Sequence, residues 1–555
     1  MMPAVDTSTA VTARIDAMVA RYSSPEACAA EILCDGRDPA ALAYRVIAAD
    51  LSVRDISYGE LRAESERFAA VLRSLGVGQG DRVATLMGKS RTYLVTLMAI
   101  WRLGAVHVPL FTAFAPPAIA YRLLGSGARL VVCDPAQQSK LAPGEDMPAE
   151  APWHVITTGA AVDGALAFDT LMADAVPGLA AVAVGGDAPI IHIYTSGTTG
   201  NPKGVVVPLR ALAAFHAYAE FGHGLQPDDI FWCAADPGWA YGLYFGVLAT
   251  FLTGTPSILF EGGFSPEKTM AILAEQGVTN FAAAPTVYRS LRSADVARPD
   301  GLRLRRASSA GEPLTPDVNI WAETALNLIV HDHYGQTEAD MLINNHHHAA
   351  VSRPIKAGSM GQAMPGWTAT VLDEQEDREV EANIFGRVAM IVTESPLAWF
   401  GGYDGDPAKT AEKFAGNGRW YLTGDTGRVD EEGYFHFSSR DDDVIIMAGY
   451  RIGPFEVEST IITHPAVAET AVIAVPDEVR GEVIEAYVVL QPGHVASPEL
   501  EREIQQWVKT RYAAHAYPRA VHFAESLPKT PSGKVQRFLL KQQRMQAIAA
   551  AGGEG

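Results

Sequence analysis

At 555 residues the chain is too long for one hydrophobic core, and 48% apolar with 19% charged residues excludes a disordered protein. A formal net charge of −20 argues against a nucleic-acid or anionic-membrane surface, though not against small anions held by local donors. Cys28, Cys34, Cys133 and Cys233 lack metal-ligand spacing, no basic-then-apolar leader opens the chain, and no apolar run is long enough for a transmembrane segment. The expectation is a cytoplasmic enzyme.

In chain order, residues 1 to about 50 are Ala-rich and read as helical. Ser57 followed by Glu60 forms a capping box, and Leu61, Phe68, Val71, Leu72 and Leu75 recur at helical spacing up to Gly76. A strand at 83–87, a helix at 93–103 and a strand at 105–110 follow. Similar apolar runs recur at 130–132, 190–193, 257–260 and 282–284. Strands alternating with helices imply a large α/β domain with parallel and mixed sheets, taken as residues 1–440. The charged stretch 373–381 reads as a hairpin tip between strands at 369–372 and 388–391.

After Arg440 the texture changes. Short strands at 471–475 and 486–490 precede Ser497, an N-cap with Pro498 at the first helical position. Leu500, Ile504, Trp507 and Val508 then share a helical face. This predicts a small α+β C-terminal domain, residues 441–546, with a flexible Ala/Gly-rich tail at 547–555.

The chemistry centres on Tyr194-Thr195-Ser196-Gly197-Thr198-Thr199-Gly200-Asn201-Pro202-Lys203-Gly204. Glycines let backbone N–H groups approach an anion, while hydroxyls and a lysine add donors and charge. It is a phosphate cradle by composition, but G-x-x-x-x-G-K-[ST] does not thread through it. Apolar runs on both sides would mount the loop between two strands. Downstream, Asp332-His333-Tyr334-Gly335-Gln336-Thr337-Glu338 combines a ring that can stack on a purine, a hydroxyl for phosphate and a carboxylate for Mg²⁺.

These motifs resemble those of the AMP-forming adenylating superfamily of acyl-CoA synthetases, luciferases and peptide-synthetase adenylation domains, and the likeness runs from Ser57 to Lys534. The resemblance implies ATP, Mg²⁺ and CoA as cofactor and co-substrates, a small-molecule carboxylate as substrate, and a small domain that is mobile. It assigns Thr195, Ser196, Gly197, Thr198, Thr199, Gly200 and Lys203 to the phosphates, with Thr198 also catalytic. Gly311, Glu312 and Pro313, within Ser308-Ser309-Ala310-Gly311-Glu312-Pro313, border the adenine pocket, as do Asp332, His333, Gly335 and Gln336. Tyr334 stacks on adenine, Thr337 contacts the α-phosphate and Glu338 binds Mg²⁺. Asp425, closing Tyr421-Leu422-Thr423-Gly424-Asp425, matches the ribose-binding aspartate. Arg440 matches a second ribose or phosphate contact, and Arg451 a phosphate contact.

The same resemblance makes Asp442 the hinge, with Ala448, Gly449 and Tyr450 lining the CoA tunnel after rotation. Lys534 is the catalytic lysine and a candidate for silencing by acylation. Trp239, Ala240 and Tyr241, with Ala310 and Gly335, line the acyl channel. Acetyl-specific relatives carry tryptophan at the position of Gly335, so an acid larger than acetate is expected, of short to medium chain length. Aromatic acids, amino acids and a luciferase-like oxygenase remain open alternatives. Asp236 lies in an Asp-Pro-Gly-Trp context that does not fit an amino-acid adenylation pattern. His464, within Thr463-His464-Pro465-Ala466-Val467, resembles a cation-binding turn. His346-His347-His348 is set aside as a metal cluster, because adjacent histidines point in different directions.

Overall fold

The computed structural model describes residues 7–552 except 160–163, 196–201, 295, 441–442, 448–449, 478–480, 514 and 530–533. The expected capping box forms at Ser57. Its Oγ accepts the Glu60 N–H at 3.2 Å, Glu60 Oε2 accepts the Ser57 N–H at 2.9 Å, and the helix Tyr58–Ser74 starts there. Gly76 follows the helix at φ +86, a conformation that suits a residue without Cβ.

Two β-sheets stand at the centre of the large body. One runs, in spatial order, Leu166–Ala167, His154–Thr157, Leu130–Cys133, Arg82–Leu86, Val106–Pro109, Pro189–Thr195 and Lys203–Pro208. It is parallel until the antiparallel final pair. The other is parallel through Val330–Gln336, Arg306–Ala310, Asn280–Ala283, Phe231–Cys233, Ser257–Phe260 and Leu42–Ile47, with antiparallel strands at both edges. Central strands such as Leu130–Cys133 and Ser257–Phe260 are buried throughout, as parallel strands covered on both faces must be. A third, antiparallel sheet contains Ala369–Leu372, Gly386–Ile391, Trp420–Val429 and Phe435–Arg440, and the charged 373–381 stretch closes its first hairpin.

Beyond Arg440 a separate apolar core extends from Ile445 to Leu540. Its sheet pairs Val467–Asp477 with Gly481–Leu490 antiparallel. The helix Pro498–Arg511 begins at Ser497, whose Oγ accepts the Leu500 N–H at 3.1 Å. This unit touches the large body where the Phe437 and Phe455 rings meet at 5.8 Å.

One expectation needs correction. The first 50 residues are not all helical: after the helix Thr7–Tyr22, Leu42–Ile47 is a strand paired with Val53–Ser57 and Ser257–Phe260. Alanine richness hid it, whereas its Tyr44, Val46 and Ile47 side chains find buried positions on a sheet formed 200 residues later. The helix Arg537–Gly552 extends past residue 547, as its alanines favour. Among the described residues no helix is long and apolar enough to cross a membrane.

Candidate active site

The hairpin Pro189–Thr195/Lys203–Pro208 mounts the phosphate-cradle sequence, with Thr195 and Lys203 directly paired at its mouth. Ser196, Gly197, Thr198, Thr199 and Gly200 lie outside the described residues. At the flanks, Thr195 Oγ1 is buried without a hydrogen-bond partner among the described residues, as suits a donor reserved for a ligand. The Lys203 ammonium sits 4.7 Å over the Tyr403 ring.

The nucleotide side is built by strand ends. Asp425 and Arg440, fifteen residues apart in sequence, are cross-strand partners in the hairpin Trp420–Val429/Phe435–Arg440. Arg440 Nη1 lies 3.2 Å from Asp425 Oδ1. The other oxygen, Oδ2, accepts from the Tyr334 hydroxyl and, at 2.9 Å, from Gln336 Nε2. The Tyr421 hydroxyl in turn donates to Gln336 Oε1 at 2.9 Å. Four side chains from three strands thus orient one carboxylate. Gly311, at φ +101, follows the strand Arg306–Ala310, and next to it Glu312 is clamped by Arg289 at 2.7 Å and Thr286 at 2.9 Å. Pro313 continues that turn. Burial pushes the Asp332 carboxyl up to about 8, against the backbone N–H groups of Leu314 and His333.

Glu338 and Lys534 complete the cleft. The buried Tyr403 hydroxyl donates to Glu338 Oε1 at 2.7 Å. A carboxylate so oriented fits Mg²⁺, which takes one or two carboxylates plus phosphate oxygens. The Thr337 carbonyl accepts the Tyr244 hydroxyl at 3.4 Å. Lys534 keeps solvent access, but the walls around its ammonium lower its pKa by desolvation, while Glu312, Asp425 and Glu338 pull it up and Arg440 opposes them. Charged residues from four separate motifs therefore lie within electrostatic reach of one lysine. Sequence reasoning missed Tyr403 and Lys413. Lys413 donates to the Thr423 carbonyl at 2.9 Å, and Glu338 and Asp425 act on its charge. Neither residue lies in a motif that marks chemistry; only the tertiary fold brings them here.

On the acyl side Trp239 packs against Phe111 at 5.3 Å and Phe114 at 5.4 Å, so it belongs to an aromatic cluster. Tyr241, next to Ala240, meets the Tyr218 hydroxyl at 3.2 Å, and Tyr218 meets His333 Nδ1 at 2.7 Å. Ala310 is buried at its strand end. Gly335 is not simply an opened wall. A Cβ there would lie 2.3 Å from the Asp340 carbonyl oxygen and 2.6 Å from both Cα and Sδ of Met341. Glycine is needed by this close approach at an irregularity between the paired strands, and Met341 fills the space beside it.

In the C-terminal unit, Asp442, Ala448 and Gly449 lie outside the described residues. Tyr450 and Arg451 belong to the strand Tyr450–Ile452, paired with Met447 and Ile446. His464, in the turn that resembles a cation-binding one, is buried. Its Nδ1 accepts the Ala466 N–H at 3.2 Å, its ring packs on Trp507, and Glu503 at 3.4 Å is its one carboxylate neighbour among the described residues. His346, His347 and His348 do diverge, toward Ala363, Ala307 and Ala350. His347 instead joins His331 and His333, whose ligand atoms lie within 4.8 Å of one another. The His331 and His347 rings stack at 3.6 Å and 15°, so no single ion can lie in both ring planes, and the trio is a packed network.

The AMP-binding enzyme family matches residues 37–403, and its C-terminal domain matches 456–534. The acetyl-coenzyme A synthetase of Bacillus subtilis (strain 168) is 37% identical over 503 residues, covering 87% of this chain and 84% of the relative. The mitochondrial acyl-coenzyme A synthetase ACSM3 of Mus musculus is 33% identical over 506 residues, covering 88% and 84%. The crystal structure of the Brucella canis acyl-CoA synthetase superposes with a TM-score of 0.75 at 43% identity, covering 97% of both chains. With the oriented Asp425 and Glu338, these matches place the chain in the AMP-binding enzyme family, as an AMP-forming ligase of the acyl-CoA synthetase group.

Proposed function

We propose that the protein joins a carboxylic acid larger than acetate to CoA, forming an acyl-adenylate and pyrophosphate from ATP before the thioester. The oriented carboxylates Asp425 and Glu338, within electrostatic reach of Lys534, support this reading. Asp425 would take the ribose hydroxyls, held in register by Tyr334, Gln336 and Arg440. Tyr334 would stack on adenine, with Gly311, Glu312 and Asp332 at the pocket border. Thr195, Lys203 and the cradle would hold the phosphates. Glu338 would hold Mg²⁺ together with phosphate oxygens, and the ion when bound would neutralise phosphate charge. The substrate carboxylate attacks the α-phosphorus, pyrophosphate leaves, and Lys534 stabilises the charge at the reacting oxygens. Positioning and electrostatics supply most of such a step.

For the second step the small domain would turn about Asp442, replacing Lys534 with the Ala448-Gly449-Tyr450 segment along the CoA tunnel. The thiol then attacks the acyl carbonyl and AMP leaves. Acylation of Lys534 would remove its charge and silence the first step. The Bacillus subtilis relative is named for acetate. Acetyl-specific members of the resembled family carry tryptophan at the position of Gly335. The close approach of the Asp340 carbonyl oxygen and Met341 leaves no room for such a ring here, and the larger-acid reading rests on the absence of that tryptophan, not on space opened by the glycine. CoA-dependent AMP formation across a panel of linear, branched and aromatic acids tests the reading. Acetate as the best substrate overturns the size assignment, and AMP formation coupled to oxygen uptake instead of CoA overturns the ligase reading.

A further inference from the structure

Asp340 opens the strand Asp340–Asn344, directly after the Glu338 motif. Its exposure is 1%, and neither carboxylate oxygen has a hydrogen-bond partner among the described residues. Its backbone sits at φ +73, in the left-handed region that disfavours every residue with a Cβ. Aspartate normally tolerates that region by hydrogen-bonding its own turn. Here the Met341 N–H is near enough to act on the carboxyl but lies outside hydrogen-bond geometry. Glycine would satisfy the backbone without strain. The fold therefore gives no reason for an aspartate at this position, and a strained, buried, unpaired polar group is the mark of a binding role.

Its backbone abuts Gly335, which the resemblance assigns to the acyl channel: a Cβ on Gly335 would lie 2.3 Å from the Asp340 carbonyl oxygen. The hydroxyls of Tyr218, Tyr241 and Tyr244 all lie within electrostatic range of the carboxyl. Beside Tyr241, at a ring separation of 6.4 Å, His223 presents a buried Nε2 that also lacks a partner among the described residues. A plain alkyl chain packed into this end would leave both polar groups unsatisfied, whereas a hydroxyl or amino group on the chain could satisfy them. Sequence reading weighed only Asp236 as an acidic partner for such a group. That carboxylate is already engaged by the Gly238 N–H at 2.8 Å.

We propose that Asp340 is a specificity residue of the acyl pocket, and that the acid activated by this enzyme carries a hydrogen-bond donor, hydroxyl or amino, on its chain. The proposal rests on the ligase reading above. It is tested by measuring kcat/KM for CoA-dependent AMP formation with butanoate and hexanoate, each against its hydroxy and amino derivatives at every carbon. The wild-type protein is expected to favour at least one derivative over its parent by about tenfold or more, since a site built to bond a polar group rejects the analogue lacking it. Asp340→Gly, which suits φ +73 and is expected to keep the melting temperature, should erase that preference. Asp340→Asn should retain it for a hydroxyl and lose it for an ammonium, which tells the two donors apart. A wild-type preference for the parent acids, or a preference unchanged in Asp340→Gly, overturns the proposal while leaving the ligase reading intact. An absence of AMP formation with every acid overturns both.

Discussion

Replacing Tyr403 with phenylalanine removes one hydroxyl from the cleft and little else. The ring keeps its contact with Phe400 at 5.2 Å, the Lys203 ammonium keeps its face, and the backbone bridge from Tyr403 to Val205 is untouched. What goes is the 2.7 Å hydrogen bond to Glu338 Oε1. A hydrogen bond to a charged group is worth about 1.5–3 kcal/mol. Much of that holds the carboxylate in one orientation, so a loss of roughly 10- to 100-fold is expected in the step that needs it, at about 1.4 kcal/mol per decade. ATP–pyrophosphate exchange should fall by that factor and demand more Mg²⁺ for half-saturation. Mn²⁺ binding in the presence of ATP, followed by its paramagnetic signal, should weaken in parallel. Thioester formation from supplied acyl-adenylate should change little. Equal losses in both half-reactions, or an unchanged metal dependence, would refute the idea that Tyr403 acts through Glu338.

Lys534→Ala is expected to lower acid-dependent ATP–pyrophosphate exchange by about 10²- to 10³-fold while sparing thioester formation from acyl-adenylate; equal loss of both would sink the two-conformation assignment. Gly335→Ala must displace the Asp340–Met341 backbone, so its urea midpoint should drop by the equivalent of about 1–3 kcal/mol, and Gly335→Trp should lose activity with every acid; full stability with only a shift toward acetate would show that the position is a simple wall after all. Glu456, at the contact between the two bodies, accepts the Gly453 N–H at 3.0 Å and lies 3.5 Å from Ser438 Oγ, and burial pushes its carboxyl up to about 7. The folded state therefore holds this proton more tightly than the unfolded chain, so its contribution is full below the unfolded value near ~4.3 and is lost as pH rises through about 7. The melting temperature of wild type should fall relative to Glu456→Gln over that window, and parallel curves would contradict the assignment.

Much of the local architecture was legible because it depends on near neighbours. The Ser57 and Ser497 caps, the buried strands at Leu130–Cys133 and Ser257–Phe260 and the hairpin around residues 373–381 all follow from side chains a few positions apart. The motif resemblance likewise named Asp425, Glu338 and Lys534 from short stretches. What the sequence could not supply were properties that exist only between distant segments. Leu42–Ile47 becomes a strand because Ser257–Phe260 is there to pair with it. Gly335 reads as missing bulk until the Asp340 carbonyl oxygen is found where its Cβ would go. Tyr403 acquires a role from a carboxylate 65 residues upstream in sequence. Asp340 is an ordinary polar residue in the chain, and only the tertiary structure buries it, strains it and leaves its oxygens unpaired among the described residues. Local pattern determined which elements and motifs form. Burial and long-range pairing, which carry the electrostatic cost of each polar group, decided what those groups can do.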